Sequence, residues 1–384
     1  MKILFLTTVL PGKRRMGSEA ASQAIIDALR DSGADVTVVG YVRTGDDYRA
    51  GTSEVCAGRR PIETRAAGWR PIVWFLASVS LNIPYSVAKY RSRAFVSAVR
   101  STLREQAFQV VVVDHVQMSW LLTSIRPAGP VVAVAHNVEH RMYKDIVVGS
   151  ASALQRWIYG RESRKLQGME RALANRVDQL WVLTRADAES FSALGGRASV
   201  REITLPANPR ASISPPPAKE FDIGLAGSWT WKANECGLRW FFAEVYPKLA
   251  PTCSIRVAGT GADWLQGRYR NVEVVGFVDD LDRWLRSARV IAIPTLSGGG
   301  IEIKTLNAIA SGTYIVATAV ALRGIDAPPS TVSLAGSATA FAASLDAAIS
   351  RPAGEVASVA VDWSVRRRRR FGIEMARNIE HLLH

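Results

Sequence analysis

The sequence predicts two doubly wound α/β domains in tandem, and three observations lead there. Continuous β-branched runs, "FQVVVVDHV" at 108–116 and "GPVVAVAHNVEH" at 129–140, suit parallel strands covered on both faces. The alternation of strand, loop and helix that opens the chain begins afresh near residue 221. Between the halves, "PANPRASISPPPAK" at 206–219 holds five prolines and little periodicity, the composition of a linker. A length of 384 residues suits two domains, each with its own core.

The elements follow in order. "KILFLTTV" is a strand, a loop follows, and an amphipathic helix covers about 18–32 before the second strand, "ADVTVVGY". The two β-branched runs add further strands. A helix rich in Arg, Glu, Leu and Ala spans about 151–175, and "VDQLWVLTRADAESF" reads as strand, turn and helix. In the second half "FDIGLAGS" is a strand and "NECGLRWFFAEVYPKL" a helix. "CSIRVAGTG" and "VEVVGFV" are strands, and "DDLDRWLRSA" is a helix whose acidic start caps it rather than binding a metal. "RVIAIPT" is a strand, a glycine loop leads into a helix near Ile301, "YIVAT" is a strand, and a last helix covers about 364–383.

The composition, 48% hydrophobic and 21% charged, is that of a globular protein. No stretch reaches the ~20 apolar residues of a membrane span. The start, "MKILFLTTVLPG", reads as a strand and turn rather than a signal peptide. Cys56, Cys236 and Cys253 show no spacing pattern, which fits a reducing cytoplasm. The net charge of +14 speaks about partners: nucleic acid, an anionic membrane or a phosphorylated substrate. No zinc-finger spacing, RNP-type motif or helix-turn-helix supports nucleic acid. "VRRRRRFG" at 365–372 is then a solvated helix face or a contact with anionic lipid. "GWRPIVWFLASVSLNIPYSVAKYRSR" at 68–93 is either an amphipathic surface for a bilayer or a core helix with a polar flank.

The most informative stretch is "SGGGIEIKTLNAIASG" at 297–312. Glycines before a helix let an anion approach unpaired backbone N–H groups at the positive end of the helix dipole. Lys304 adds a full charge one turn in. The arrangement is a diphosphate cradle or a plain βα turn with a solvated lysine; the GK[ST] order of a P-loop is absent.

Residues 276–318 resemble the donor half of the retaining glycosyltransferases of family 4, which have the two-domain GT-B fold. "GSWTWKANECGLRWFFAEVYPKL" is similar to their first donor-domain strand, loop and helix, and "LPGKRRMGSEAASQAII", "NIPYSVAKYRS" and "HNVEHRMY" match in order through the N-terminal half. The resemblance implies two Rossmann-like domains facing across a cleft. An N-terminal acceptor domain would span 1–206 together with a returning C-terminal helix, 364–384; a donor domain would span 207–363. It implies that Gly298, Gly299, Gly300, Ile301 and Lys304 hold the nucleotide diphosphate. Lys232, in the loop after the first donor-domain strand, and Asn234, at the start of the following helix, face the same pocket. Gly17 would sit beside the transferred sugar and His136 beside that sugar or the acceptor, with Asn137 and Glu139 on the acceptor side; His115 either lines that side or is a polar residue at a strand end. His136, Lys232 and Lys304 are the catalytic candidates. Asn307 stands where the family carries the glutamate that grips the donor ribose. It keeps hydrogen-bonding capacity and loses the charge-assisted part.

The expected activity is metal-independent, cofactor-free transfer of a sugar from a nucleotide-diphosphate donor to a glycan acceptor that is lipid-linked. The expected place is the cytoplasmic face of the plasma membrane, with an anionic surface as partner and no nucleic acid. A nucleotide-sugar epimerase and a non-catalytic sugar-nucleotide-binding subunit are the alternatives. "HNVEH" at 136–140 also fits an H-x-x-E-H zinc motif, which requires both histidines on one helix.

Overall fold

The computed structural model describes residues 1–13, 17–62, 67–150, 152–207, 217–351 and 356–383, so most of the proline-rich linker and residues 14–16 of the first loop lie outside the described residues. The chain forms two compact units, Met1–Thr204 with Gly372–His384, and Leu205–Phe371.

In the first unit, β1 (Lys2–Val9), β2 (Asp35–Arg43), β3 (Glu54–Arg60), β4 (Val110–Asp114), β5 (Val131–Ala135), β6 (Gln179–Val182) and β7 (Ser199–Glu202) form one sheet. Its order is β3-β2-β1-β4-β5-β6-β7, and every pairing is parallel. All five residues of β4 and of β5 are buried. Helices on both faces require this, which is why those strands read as unbroken apolar runs. The order reverses between β1 and β4, the switch point where open α/β sheets bind ligands beyond the strand ends.

The helices are α1 (Gly17–Asp31), α2 (Arg70–Ser80), α3 (Tyr85–Tyr90), α4 (Arg93–Glu105), α5 (Glu139–Val148), α6 (Ala153–Ala174) and α7 (Arg185–Leu194). Helix α6 organises its neighbours with two buried carboxylates. Glu162 accepts from the backbone N–H groups of Tyr85 and Ser86 at 2.9 and 3.1 Å, and Glu170 accepts from that of Glu139 at 2.7 Å. Each carboxylate thereby satisfies orphan donors at the positive start of a helix, α3 or α5.

The second unit repeats the plan. Strands β8 (Phe221–Ala226), β9 (Ile255–Ala258), β10 (Val272–Gly276), β11 (Ala288–Ile293), β12 (Tyr314–Ala317) and β13 (Val332–Leu334) pair in the order β10-β9-β8-β11-β12-β13, again all parallel. Helices α8 (Lys232–Trp240), α9 (Leu281–Ser287), α10 (Ile303–Ala310) and α11 (Ala338–Ile349) cover it. The helix expected over 234–249 is α-helical only to Trp240; it continues as one π-turn over Phe241–Val245 and a 3-10 turn over Tyr246–Lys248. Asp280 caps α9 by accepting from Arg283 N at 3.0 Å, as its position before the helix suggested.

The last helix, α12 (Val356–Leu383), begins eight residues before the expected start at 364. Its first part belongs to the second unit, where Arg367 donates to the carbonyls of Leu205 and Gly324. From Gly372 it belongs to the first unit, where Glu374 accepts from the N–H and hydroxyl of Thr204 and the Asn378 carbonyl accepts from Gln179.

Gly237 sets the seat of α8. A Cβ there would lie 2.3 Å from the Pro294 carbonyl oxygen, just past β11. We expect Gly237→Ala to destabilise the protein by about 1–3 kcal/mol through overpacking. Gly160→Ala, in α6 with open space around it, should stabilise by up to about 1 kcal/mol through helix propensity. Urea unfolding of the two variants should move in opposite directions.

Candidate active site

Two clusters of the expected residues form, one at the carboxyl-end switch point of each sheet. In the first unit Asp114 ends β4 and is fully buried. Its Oδ1 lies 2.7 Å from His136 Nε2, and its Oδ2 accepts from Thr7 at 2.7 Å and Ser22 at 2.6 Å. Burial alone would raise its pKa. The charges of His115 and His136 and the hydrogen bonds from His136 and Ser22 outweigh burial and hold it well below the usual carboxylate range. An ionised Asp114 accepts only, so His136 donates from Nε2, which fixes its tautomer.

His115 follows directly, with φ +70, a conformation rare outside glycine. The strained backbone lets its ring stack on His136, centroids 4.0 Å apart and planes within 16°. Burial, with His136 beside it, pushes His115 down to about 4, partly offset by Asp114. Asp114, His115 and His136 place one ligand atom each within 4.8 Å of one another. The Asp114–His136 contact is itself a direct hydrogen bond.

Asn137 lies in the turn after β5, and Glu139 begins α5. Glu139 is buried, and burial pushes its carboxyl up to about 7; hydrogen bonds from Gln117 and Asn137 oppose the rise and Glu170 adds to it. The zinc-motif reading of "HNVEH" fails on geometry. His136 precedes the helix and bonds Asp114, whereas His140 Nδ1 lies 2.5 Å from Glu170 on α6. Gly17 is the first residue of α1, whose Ser22 reaches Asp114.

In the second unit the glycine loop follows β11. Gly298 and Gly300 have φ of +136 and +63, which side chains rarely adopt. Ile301 and Glu302 lead into α10, which begins at Ile303 rather than Ile301. Lys304 Nζ donates to Asn234 Oδ1 at 2.8 Å and lies 3.6 Å from Glu302, itself held by Thr295 and Thr305. Burial lowers the Lys304 pKa, with Glu302 opposing. Lys304 and Asn234 therefore meet as expected. Lys232 does not join them: it is the first residue of α8 rather than part of the loop, its side chain is 79% exposed, and it pairs with Glu235 at 3.4 Å. Asn307 is exposed on α10.

Sequence reasoning missed Asp114 as the partner of His136 and missed Arg323, whose guanidinium approaches Gly298. The acidic residue at the end of a buried apolar strand was the available signal for the first; nothing local marks the second.

Glu139 supplies a test of this electrostatic picture. Its folded pKa is raised from 4.5 to about 7, so the folded state favours the protonated form. That contribution is complete below pH 4.5 and is lost as pH rises to about 7. Glu139→Gln keeps the shape and has no charge to bury. Its stability relative to wild type should climb between pH 4.5 and 7, by up to about 3 kcal/mol, and stay level above. A pH-independent difference in denaturant midpoints would contradict the picture.

Two family models match the sequence: "Glycosyl transferase 4-like domain" over residues 16–206 and "Glycosyl transferases group 1" over 220–351. A search of curated proteins found no match. Among solved structures, sucrose-phosphate synthase from Thermosynechococcus elongatus superposes with a TM-score of 0.69 at 14% identity, covering 100% of this chain and 99% of that one. Anabaena HepE in complex with UDP and glucose gives 0.64 at 15%, with coverage of 100% and 99%. WaaG, a glycosyltransferase involved in lipopolysaccharide biosynthesis, gives 0.62 at 15%, with 99% of each chain covered. With both halves matched in order and two parallel sheets of this topology, the chain belongs to the group 1, family-4-like glycosyltransferases of GT-B fold.

Proposed function

We propose that this glycosyltransferase moves a sugar, with retention at the anomeric carbon, from a nucleoside-diphosphate donor to a glycan acceptor carried on a lipid, in polysaccharide or glycolipid assembly of bacterial type. The observation that carries the reading is the Lys304–Asn234 pair beside the glycine loop that opens α10. A preorganised cation and unpaired N–H groups stabilise the charge that develops on a departing diphosphate. HepE, similar in fold, was solved with UDP-glucose, which supports a donor of that class.

The bond from the anomeric carbon to the diphosphate oxygen breaks with its electron pair on the diphosphate, through an oxocarbenium-like state. The acceptor oxygen bonds the same carbon, and its proton passes to the departing diphosphate. Asp114 orients the ring of His136, the residue that the family resemblance assigns to the sugar or the acceptor. No metal or cofactor takes part.

The acceptor's lipid is supported by the first unit. On and beside α2, Trp69, Ile72 and Leu76 are 71%, 64% and 60% exposed, and Val73 and Val79 are also exposed. From Thr64 to Arg104 the sequence carries seven basic residues and no acidic one. No helix of the described residues is long and apolar enough to cross a membrane. An apolar face flanked by cations suits a helix lying in an anionic interface, on the cytoplasmic leaflet.

Product analysis with a panel of nucleotide sugars should show transfer; epimerised donor, or binding without turnover, would replace this reading with one of its alternatives. Activity should survive EDTA. Loss of activity that Mg²⁺ or Mn²⁺ restores would refute metal independence. Lys304→Ala should lower kcat/KM roughly a hundredfold or more, the typical effect of removing one preorganised donor. Lys232→Ala, at an exposed side chain, should cost under about tenfold.

Flotation with vesicles should show binding to anionic but not neutral lipid, lost at high salt, since each basic residue near an anionic leaflet contributes about 1 kcal/mol. Ile72→Asp with Leu76→Asp should abolish it. Indifference to lipid charge would favour a soluble acceptor.

A further inference from the structure

Arg323 lies in the turn after β12, beyond the strand that neighbours β11 in the sheet. The turn is held at both ends. Thr318 donates its hydroxyl to the Thr295 carbonyl, and the Gly324 carbonyl accepts from Arg367 on α12. The side chain between these anchors has an unusual environment. Its Nε and Nη2 are buried, and among the described residues neither has a hydrogen-bond partner. The other cations of this region are engaged: Lys304 by Asn234 and Glu302, Lys232 and Arg239 by Glu235.

The guanidinium faces the glycine loop. A Cβ built on Gly298 would lie 3.5 Å from Arg323 Nη2 and 4.0 Å from Ala233 Cβ. Ala233 precedes Asn234, the acceptor of the Lys304 bond, so Arg323, the loop and the start of α8 converge on one place. A side chain at 298 would pack directly against the guanidinium.

Nε and Nη2 are the two prongs of one side of the guanidinium, with parallel N–H bonds. That fork matches two oxygens of a phosphate and holds them bidentately. Two buried N–H groups of a cation left without partners are costly, and an arriving anion offsets the cost. We infer that Arg323 binds the diphosphate of the donor through Nε and Nη2, as a second cation beside Lys304. The inference rests on the donor-binding reading of the second unit given above and adds a residue to it.

Titration calorimetry with UDP, GDP and ADP tests both levels. Wild type should bind at least one of them. Arg323→Gln should weaken that nucleotide tenfold or more. Arg323→Lys, which keeps the charge and loses the fork, should weaken it by at least threefold and carries the test if the glutamine variant does not fold. A purely structural arginine would lower the melting temperature of the free protein when replaced. Arg323→Gln should instead leave it unchanged or raise it, because the lost donors had no partners. Wild-type binding with unchanged affinity in both variants would overturn the role of Arg323 alone. Wild type that binds none of the three would overturn the donor-binding reading and this inference together.

Discussion

A parallel strand covered on both faces meets water only at its ends, and that constraint arranges everything else in this protein. β4 and β5 spend all their side chains on burial and β11 all but that of Arg289, so the site's polar chemistry gathers at and just past their carboxyl ends. Where the strand order reverses, two such ends diverge and leave room beyond them. Asp114 and His136 occupy that position in the first unit, and the glycine loop occupies it in the second. Helix packing then sets distances. The approach of Gly237 to Pro294 brings the start of α8 to the end of β11, which is what lets Asn234 meet Lys304.

The first unit balances its buried charges. Glu162 and Glu170 sit on helix starts, and Glu170 also takes His140, while Asp114 is shared among a threonine, a serine and a histidine. Replacing any of these carboxylates would strand buried donors, at about 1–3 kcal/mol for each unsatisfied group. The same network orients His136, so fold stability and site geometry rest on one set of bonds. Glu139 is the exception: with Gln117 and Asn137 as partners and Glu170 nearby, it titrates close to neutrality.

The strands were legible because burial on both faces imposes continuous apolar runs, and the glycine–lysine block was legible because close backbone approach requires glycine. β3, β7 and β13 were not: β7 and β13 are four and three residues long, and in β3 "EVCAGRR" carries Gly58, two arginines and a partly exposed edge. The exposed aromatic and aliphatic positions of α2 fitted a surface helix and a core helix equally until their burial was known. Asp114 escaped notice because its importance lies in contacts with Thr7, Ser22 and His136, at separations of 107, 92 and 22 residues. Lys232 matched a motif position, but motif position carries no information about the competing carboxylate of Glu235.

At the glycine loop of the second unit, Arg323 Nε and Nη2 have no partner among the described residues, and Asn307 adds no anion nearby. Where the family resemblance implies a carboxylate for the donor ribose, α10 presents a neutral amide. The nearby anion is Glu302, whose oxygens are already committed to Thr295 and Thr305 and which stands 3.6 Å from Lys304. With one carboxylate fewer, recognition of the ribose weakens, since a charge-assisted hydrogen bond is roughly twice as strong as a neutral one. On the same reading the attraction of Lys304 for a diphosphate would strengthen, because among the described residues only Glu302 pairs with it. On the donor-binding reading, recognition in this chain would depend more on phosphate than on ribose hydroxyls. On the donor-binding reading, the cations at this loop would gain most as charge grows on the departing diphosphate, which is where a glycosyltransferase needs them.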